Sequence, residues 1–159
     1  MSTYILIVVY LIINGKGSGN YDDILGGNTS ASDWAGNTKE LAKYSPIEIP
    51  DNANVRIQNK TGGYDQISYS WAADTYKYNA RWHTPTPNTP ANSANSWVVE
   101  RVTPGTSTGQ MRITEIYTPG INNNWTSNWQ WKSAVDAYNN GVTSSLQDSI
   151  LDSGHIPAP

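Results

Sequence analysis

Cysteine is absent from this sequence, which excludes disulfides, thiolate nucleophiles and cysteine-ligated zinc or iron–sulfur sites. Phenylalanine is absent too, so the large apolar side chains are mostly seven tryptophans and ten tyrosines. Such residues bury wide surfaces while their N–H and O–H groups still need polar partners. Only two histidines occur, which leaves little material for a transition-metal site, and no metal or other cofactor is expected. No G-x-S-x-G, H-E-x-x-H, Walker loop or G-x-G-x-x-G is found, and the glycine-rich GKGSGN at 15–20 lacks phosphate-loop spacing. The longest apolar run, YILIVVYLII at 4–13, is about half the roughly twenty residues of a membrane-spanning helix. Its Ile and Val content predicts a buried strand, with a degenerate signal or anchor as the alternative. No membrane span is expected.

What is present suits one domain of 159 residues that is 37% apolar. The net charge of −3 is unevenly spread. Residues 1–52 and 119–159 are acidic. The segment 53–118 is the cationic part, through Arg56, Lys60, Lys77, Arg81, Arg101 and Arg112. That segment favours an anionic ligand locally without the high pI, above about 9, of a strongly basic nucleic-acid-binding domain.

Residues 1–52 read as an apolar strand, a glycine-rich polar loop over 19–37 and a short helix over KELAKY. Asn37 and Glu40 would cap that helix, and together these residues form an accessory or recombined segment. From 53 to 159 the pattern is a β-rich domain with two C-terminal helices. VRIQN, YDQISYSW, TYKYNARWH, SWVVERV and MRITEIY alternate and are separated by turns at hairpin spacing. Ser127 with Gln130 and Ser144 with Gln147 predict capping boxes for the helices. Asn140-Gly141 would end the first helix and Gly154 the second. The expected fold class is α+β: a central antiparallel sheet of about four to six strands with short helices packed on it.

Alternation along TYKYNARWH puts Tyr76, Tyr78, Ala80 and Trp82 on one face and Lys77, Asn79, Arg81 and His83 on the other. Glu100 and Arg101 must point opposite ways, and the register decides which of them joins the polar face. Arg112 shares a face with Thr114. A sheet face carrying His, Arg and a carboxylate fits phosphodiester cleavage by a 2′-hydroxyl. His or Glu would be the base, His the acid, and Arg or Lys would stabilise charge on the phosphate. Against this, a histidine beside tryptophan is often a half-buried structural residue, and Arg81 and Arg101 could merely pair across strands. His155 reads as part of a frayed tail, and Pro85, Pro87 and Pro90 as stiffeners of an extended loop. Catalysis requires His83, His155, and Arg81 or Arg101 around one concave site.

The run GYDQISYSW…YKYNARWHTPTPNTP…NSWVVERVTPG, followed by AVDAYNNG and LDSGH, resembles the C-terminal toxin domains of bacterial polymorphic toxin systems. These are of the Rhs, cell-wall-associated and LXG kinds, and the resemblance spans about 62–155. The matching positions are Arg81, Trp82, His83, Thr84, Thr86, Pro87, Trp97, Arg101, Pro104, Gly105, Gly154 and His155; where the pattern has an aromatic after G-H, Ile156 stands here. The resemblance implies an interbacterial effector, secreted or delivered into a target cell, with a cognate immunity protein as partner, and many such effectors are nucleases. Taken with the polar strand face, it points to metal-independent cleavage of RNA. His83, Arg81 and His155 would be catalytic, and Arg101, Thr84, Thr86, Trp82, Trp97 and Arg112 would contact substrate.

Two other classes fit the composition. In a carbohydrate- or envelope-binding module, Trp82, Trp97, Trp125 and Trp129 would stack on sugar rings. A structural assembly protein is the third.

Overall fold

The computed structural model describes residues 29–87 and 94–159. The apolar stretch at 4–13, the glycine-rich joint after it and Pro90 lie outside the described residues. The alternating runs pair as expected. β1 (Asn54–Asn59), β2 (Asp65–Ala73), β3 (Tyr76–His83), β4 (Ser96–Thr103), β5 (Ile113–Tyr117) and β6 (Trp125–Ser127) form one antiparallel sheet in that spatial order. Asp74 turns β2 into β3 with φ of 54°, a left-handed conformation that Asp and Asn tolerate better than bulkier residues. Asn122, Asn123 and Asn124 hold φ of 50°, 55° and 70° between β5 and β6 for the same reason.

Period two gives the sheet two unlike faces. Ile67 and Tyr69 of β2, Ala80 and Trp82 of β3, and Trp97 and Val99 of β4 share one face through the register Ile67↔Trp82↔Trp97. All six are buried in the main core. Each buried tryptophan removes roughly 200 Å² from water, about 5 kcal/mol of gross transfer energy before entropy is charged. The cover comes from residues 29–53. α1 (Ala31–Trp34) and α2 (Thr38–Ala42) bring Ala31 and Leu41 onto the sheet, with Ile47 and Ile49 beside them. The described part of 1–52 is therefore integral to the core instead of an appendage. α1 lies inside the segment expected to be loop. Ser30 N–H donates to Asp33 at 2.7 Å, and Ala31 N–H donates to Asp65 of β2 at 3.0 Å, so a tertiary contact completes the turn. Asn37 precedes α2 as expected but makes no side-chain cap bond.

Among the described residues, helices pack on the other face over β4 to β6. α3 (Asn128–Asn139) packs on β5 and β6, α4 (Ser145–Gly154) on β4 and β5, and the two helices pack on each other. Ser144 and Gln147 form the reciprocal capping box. At α3 the Ser127 hydroxyl bonds the Gln130 side chain instead. Gly141, at φ of 68°, follows α3 in a Schellman arrangement: Val142 N–H reaches Ala137 O and Gly141 N–H reaches Tyr138 O. Gly154 does not act as the expected stop. It belongs to α4 and is buried, and a Cβ there would overlap the Trp131 ring. Close helix contact requires the glycine. The tail is not frayed: β7 (Ile156–Pro157) pairs with β4 at Ser96 and Trp97, and Ala158 and Pro159 are buried.

Candidate functional site

His83 ends β3 on the polar face, two residues beyond Arg81. β4 sets Ser96 directly opposite it. The ring is 6% exposed. Its Nδ1–H donates to Thr84 O at 3.0 Å, and the Ser96 hydroxyl lies 3.5 Å from Nε2. Tyr64 meets it edge-on at 6.3 Å between ring centroids.

His155 reaches the same place from the far end of the described chain. It caps α4, where its Nδ1–H donates to Leu151 O at 2.8 Å, and its ring lies 5.1 Å from that of Trp131. Gly154 lets Trp131 approach closely enough to fix that ring. The imidazoles of His83 and His155 then stand edge to face, centroids 6.1 Å apart and planes at 88°. Each ring spends its Nδ1–H on a backbone carbonyl, which sets the neutral tautomer and leaves Nε2 as the basic nitrogen.

Burial sets the electrostatics. His83 is pushed down to about 4, first by desolvation, with the charges of His155 and Arg81 adding and the bond to Thr84 opposing. His155 is lowered too, again first by burial. Its bond to Leu151 and the Asp152 carboxylate hold it up, while Arg81 pushes it down. Arg81 thus acts on both rings, and its own guanidinium lies 3.9 Å from Glu100 across the strand pair. A second proton on this pair costs more than the first, because charge on His155 lowers His83. One ring can hold a proton while the other offers a lone pair, the requirement for acid–base chemistry at one scissile bond.

The register settles which member of the Glu100–Arg101 pair joins the histidines. Trp97 and Val99 face the main core, so Arg101 points to their side and Glu100 to the polar face. Arg101 bonds Glu115 at 2.7 Å and lies over both Tyr76 and Trp125, at 4.4 and 4.0 Å from the ring centroids. A role for Arg101 at the histidine site is therefore corrected: the sheet stands between them. Trp82 and Trp97 are fully buried and show no ring face to a ligand, so their expected contact with substrate is corrected as well. Thr84 closes the end of the β2–β3 hairpin, accepting from Asp65 N–H through its hydroxyl at 2.9 Å. Thr86 is half-buried in the loop beyond.

Arg112 precedes β5 and lines an open groove of about 470 Å³ on the polar face. Arg56, Ser68, Lys77, Asn79 and Glu100 line it too. Arg56 and Ser68 were outside the expected site, although alternation along VRIQN was the signal that could have found Arg56. Trp131 and Gly154 carried no such signal, because their juxtaposition depends on how α3 meets α4. No group of three or more metal-ligating side chains occurs among the described residues. No family model matches this chain, and no curated protein or solved structure matches it.

Proposed function

We propose that the chain is a toxin-type effector domain that cleaves RNA by transesterification without a metal. The observation that carries this reading is the edge-to-face meeting of His83 and His155 beside Arg81. In the reaction the ribose 2′-oxygen attacks the adjacent phosphorus. The P–O2′ bond forms as the P–O5′ bond breaks, leaving a 2′,3′-cyclic phosphate and a free 5′-hydroxyl. His83, the ring held neutral by deeper burial, takes the 2′-hydroxyl proton at Nε2. His155, whose charged form Asp152 favours, gives its proton to the leaving 5′-oxygen. Arg81 stabilises the charge that grows on the phosphate. Two histidines complete the proton traffic, so no metal is needed. An arriving phosphate anion raises both histidines toward the range where one is charged.

Delivery into a target cell, and a cognate immunity protein that blocks the site, belong to the same proposal. Purified protein incubated with total RNA in chelator should produce fragments with cyclic-phosphate ends, and His83→Ala should not. Intact RNA in the wild-type lane defeats the reading.

A carbohydrate-binding reading draws on a different surface. Trp71, Tyr76, Tyr78 and Trp125 cluster on the opposite face, with Trp71 stacked on Tyr78 at 5.4 Å. Arg101 already occupies a face of Tyr76 and of Trp125. That leaves Trp129, 72% exposed, as the freest ring for a sugar. Enrichment on a glycan array that Trp129→Ala abolishes would favour this reading.

A further inference from the structure

The groove on the polar face is cationic on a protein whose net charge is −3. Arg56, Lys77 and Arg112 line it against one carboxylate, Glu100. All three cations are exposed, and among the described residues none of them is held in an ion pair. Cations left unpaired around a concavity create a local attractive potential for anions even where the protein as a whole is acidic.

The polar row of β3 leads from the groove to the histidine site. Lys77 and Asn79 line the groove, and Arg81 and His83 follow on the same face of the same strand. His83 lies six positions beyond Lys77 on β3, about 20 Å of polar sheet at roughly 3.3 Å per residue. Alternate residues on this face recur about every 6.6 Å, comparable to the spacing of successive phosphates in an extended nucleic-acid strand. Asn79, midway along, has its Oδ1 buried with no hydrogen-bond partner, an acceptor that gains by turning toward a ligand N–H or O–H.

We propose that this groove is the track for single-stranded RNA flanking the scissile phosphate. Arg56, Lys77 and Arg112 would hold backbone phosphates while Arg81 and the histidines engage the bond to be cut. The inference rests on the ribonuclease reading. Single strands are favoured over duplex because His83 is only 6% exposed, and a phosphate locked in a double helix cannot be brought against so buried a ring. In-line attack by the 2′-oxygen also needs a backbone free to leave helical geometry.

The test uses a labelled single-stranded oligoribonucleotide of about ten residues carrying 2′-O-methyl groups, which can bind but cannot be cleaved. Its affinity is measured by fluorescence anisotropy between about 50 and 200 mM salt. Wild type should bind with a steep salt dependence. The triple variant Arg56→Gln, Lys77→Gln, Arg112→Gln should bind about tenfold or more weakly at the lower salt. Its slope of log affinity against log salt should be smaller by about two, since each phosphate contact contributes roughly 0.7 for single strands. Lys132→Gln, on exposed α3, should leave both unchanged. A triple variant that binds like wild type, with a folded circular dichroism spectrum, overturns the track, as does a duplex that binds as tightly as the single strand. Groove-dependent binding by a protein that leaves total RNA intact would instead overturn the catalytic reading, so the two failures are separable.

Discussion

His83 and His155 meet edge to face at 6.1 Å, one ending a mid-chain strand and the other capping the last helix. Both anchor Nδ1–H to a carbonyl, and both are lowered by burial and by the charge of Arg81. A structural histidine could be buried this way once. Two in contact, with the Arg81 charge acting on both, form an arrangement suited to proton transfer.

The pH profile of cleavage should have an acidic optimum. The base must be neutral, so kcat/KM rises as pH climbs through about 4, the value for His83. The acid must be protonated, so kcat/KM falls as pH passes His155, which lies below the ordinary 6.5. Bound phosphate raises both, and the kcat profile should be displaced to higher pH. His83→Ala and His155→Ala should each lower cleavage by about 10²- to 10⁴-fold. The double variant should lose little more than either alone, because the rings act as a unit.

Stability should fall in acid through the same group. His83 has a folded value near 4 against 6.5 unfolded, so the unfolded chain binds more protons between those limits. Its contribution is complete above pH 6.5 and is lost as pH falls toward 4, about 3 kcal/mol in all. Urea midpoints at pH 7 and pH 4.5 should differ accordingly, and His83→Gln should flatten the difference.

Gly154→Ala should destabilise the fold by about 1–3 kcal/mol, the ordinary cost of overpacking a filled contact. The added methyl meets the Trp131 ring. That ring also positions His155, so cleavage by the folded fraction should drop as well. Denaturant unfolding and an RNA assay on one sample would read both.

Trp82 and Trp97 face each other in the core yet differ in hydrogen bonding. Trp82 Nε1–H donates to Pro159 O at 2.9 Å, whereas Trp97 Nε1 is buried without a partner. Trp82→Phe loses a bond and Trp97→Phe loses none. The first should cost about 1 kcal/mol more than the second in thermal unfolding.

Arg81 and Arg101 should separate cleanly. Arg81→Ala should reduce cleavage by about 10²-fold with the fold preserved. Arg101→Ala breaks the half-buried bond to Glu115 and the contacts with Tyr76 and Trp125, and should cost about 1–3 kcal/mol. Cleavage per folded molecule should stay unchanged, because Arg101 lies behind the sheet.

Strand alternation was legible because its period is local: Trp82 inward forces Arg81 and His83 outward whatever the rest of the chain does. The antiparallel order followed from hairpin spacing for the same reason. Local signals failed where a distant residue completed the element. Helix α1 depends on Asp65, thirty-four positions away, and the chain after Gly154 is a strand only because β4 offers it a free edge.

By itself the sequence determined the sheet, its two faces and the polar row from Lys77 to His83, all consequences of backbone period and turn chemistry. Tertiary structure decided the rest. It brought His155 against His83, sent Arg101 to the far face, sealed Trp82 and Trp97 in the core, and gathered Arg56, Lys77 and Arg112 around one groove. Those outcomes depend on cross-strand register and on how α3 and α4 cross the sheet. Packing of residues far apart in the chain sets both, and no window of sequence contains that information.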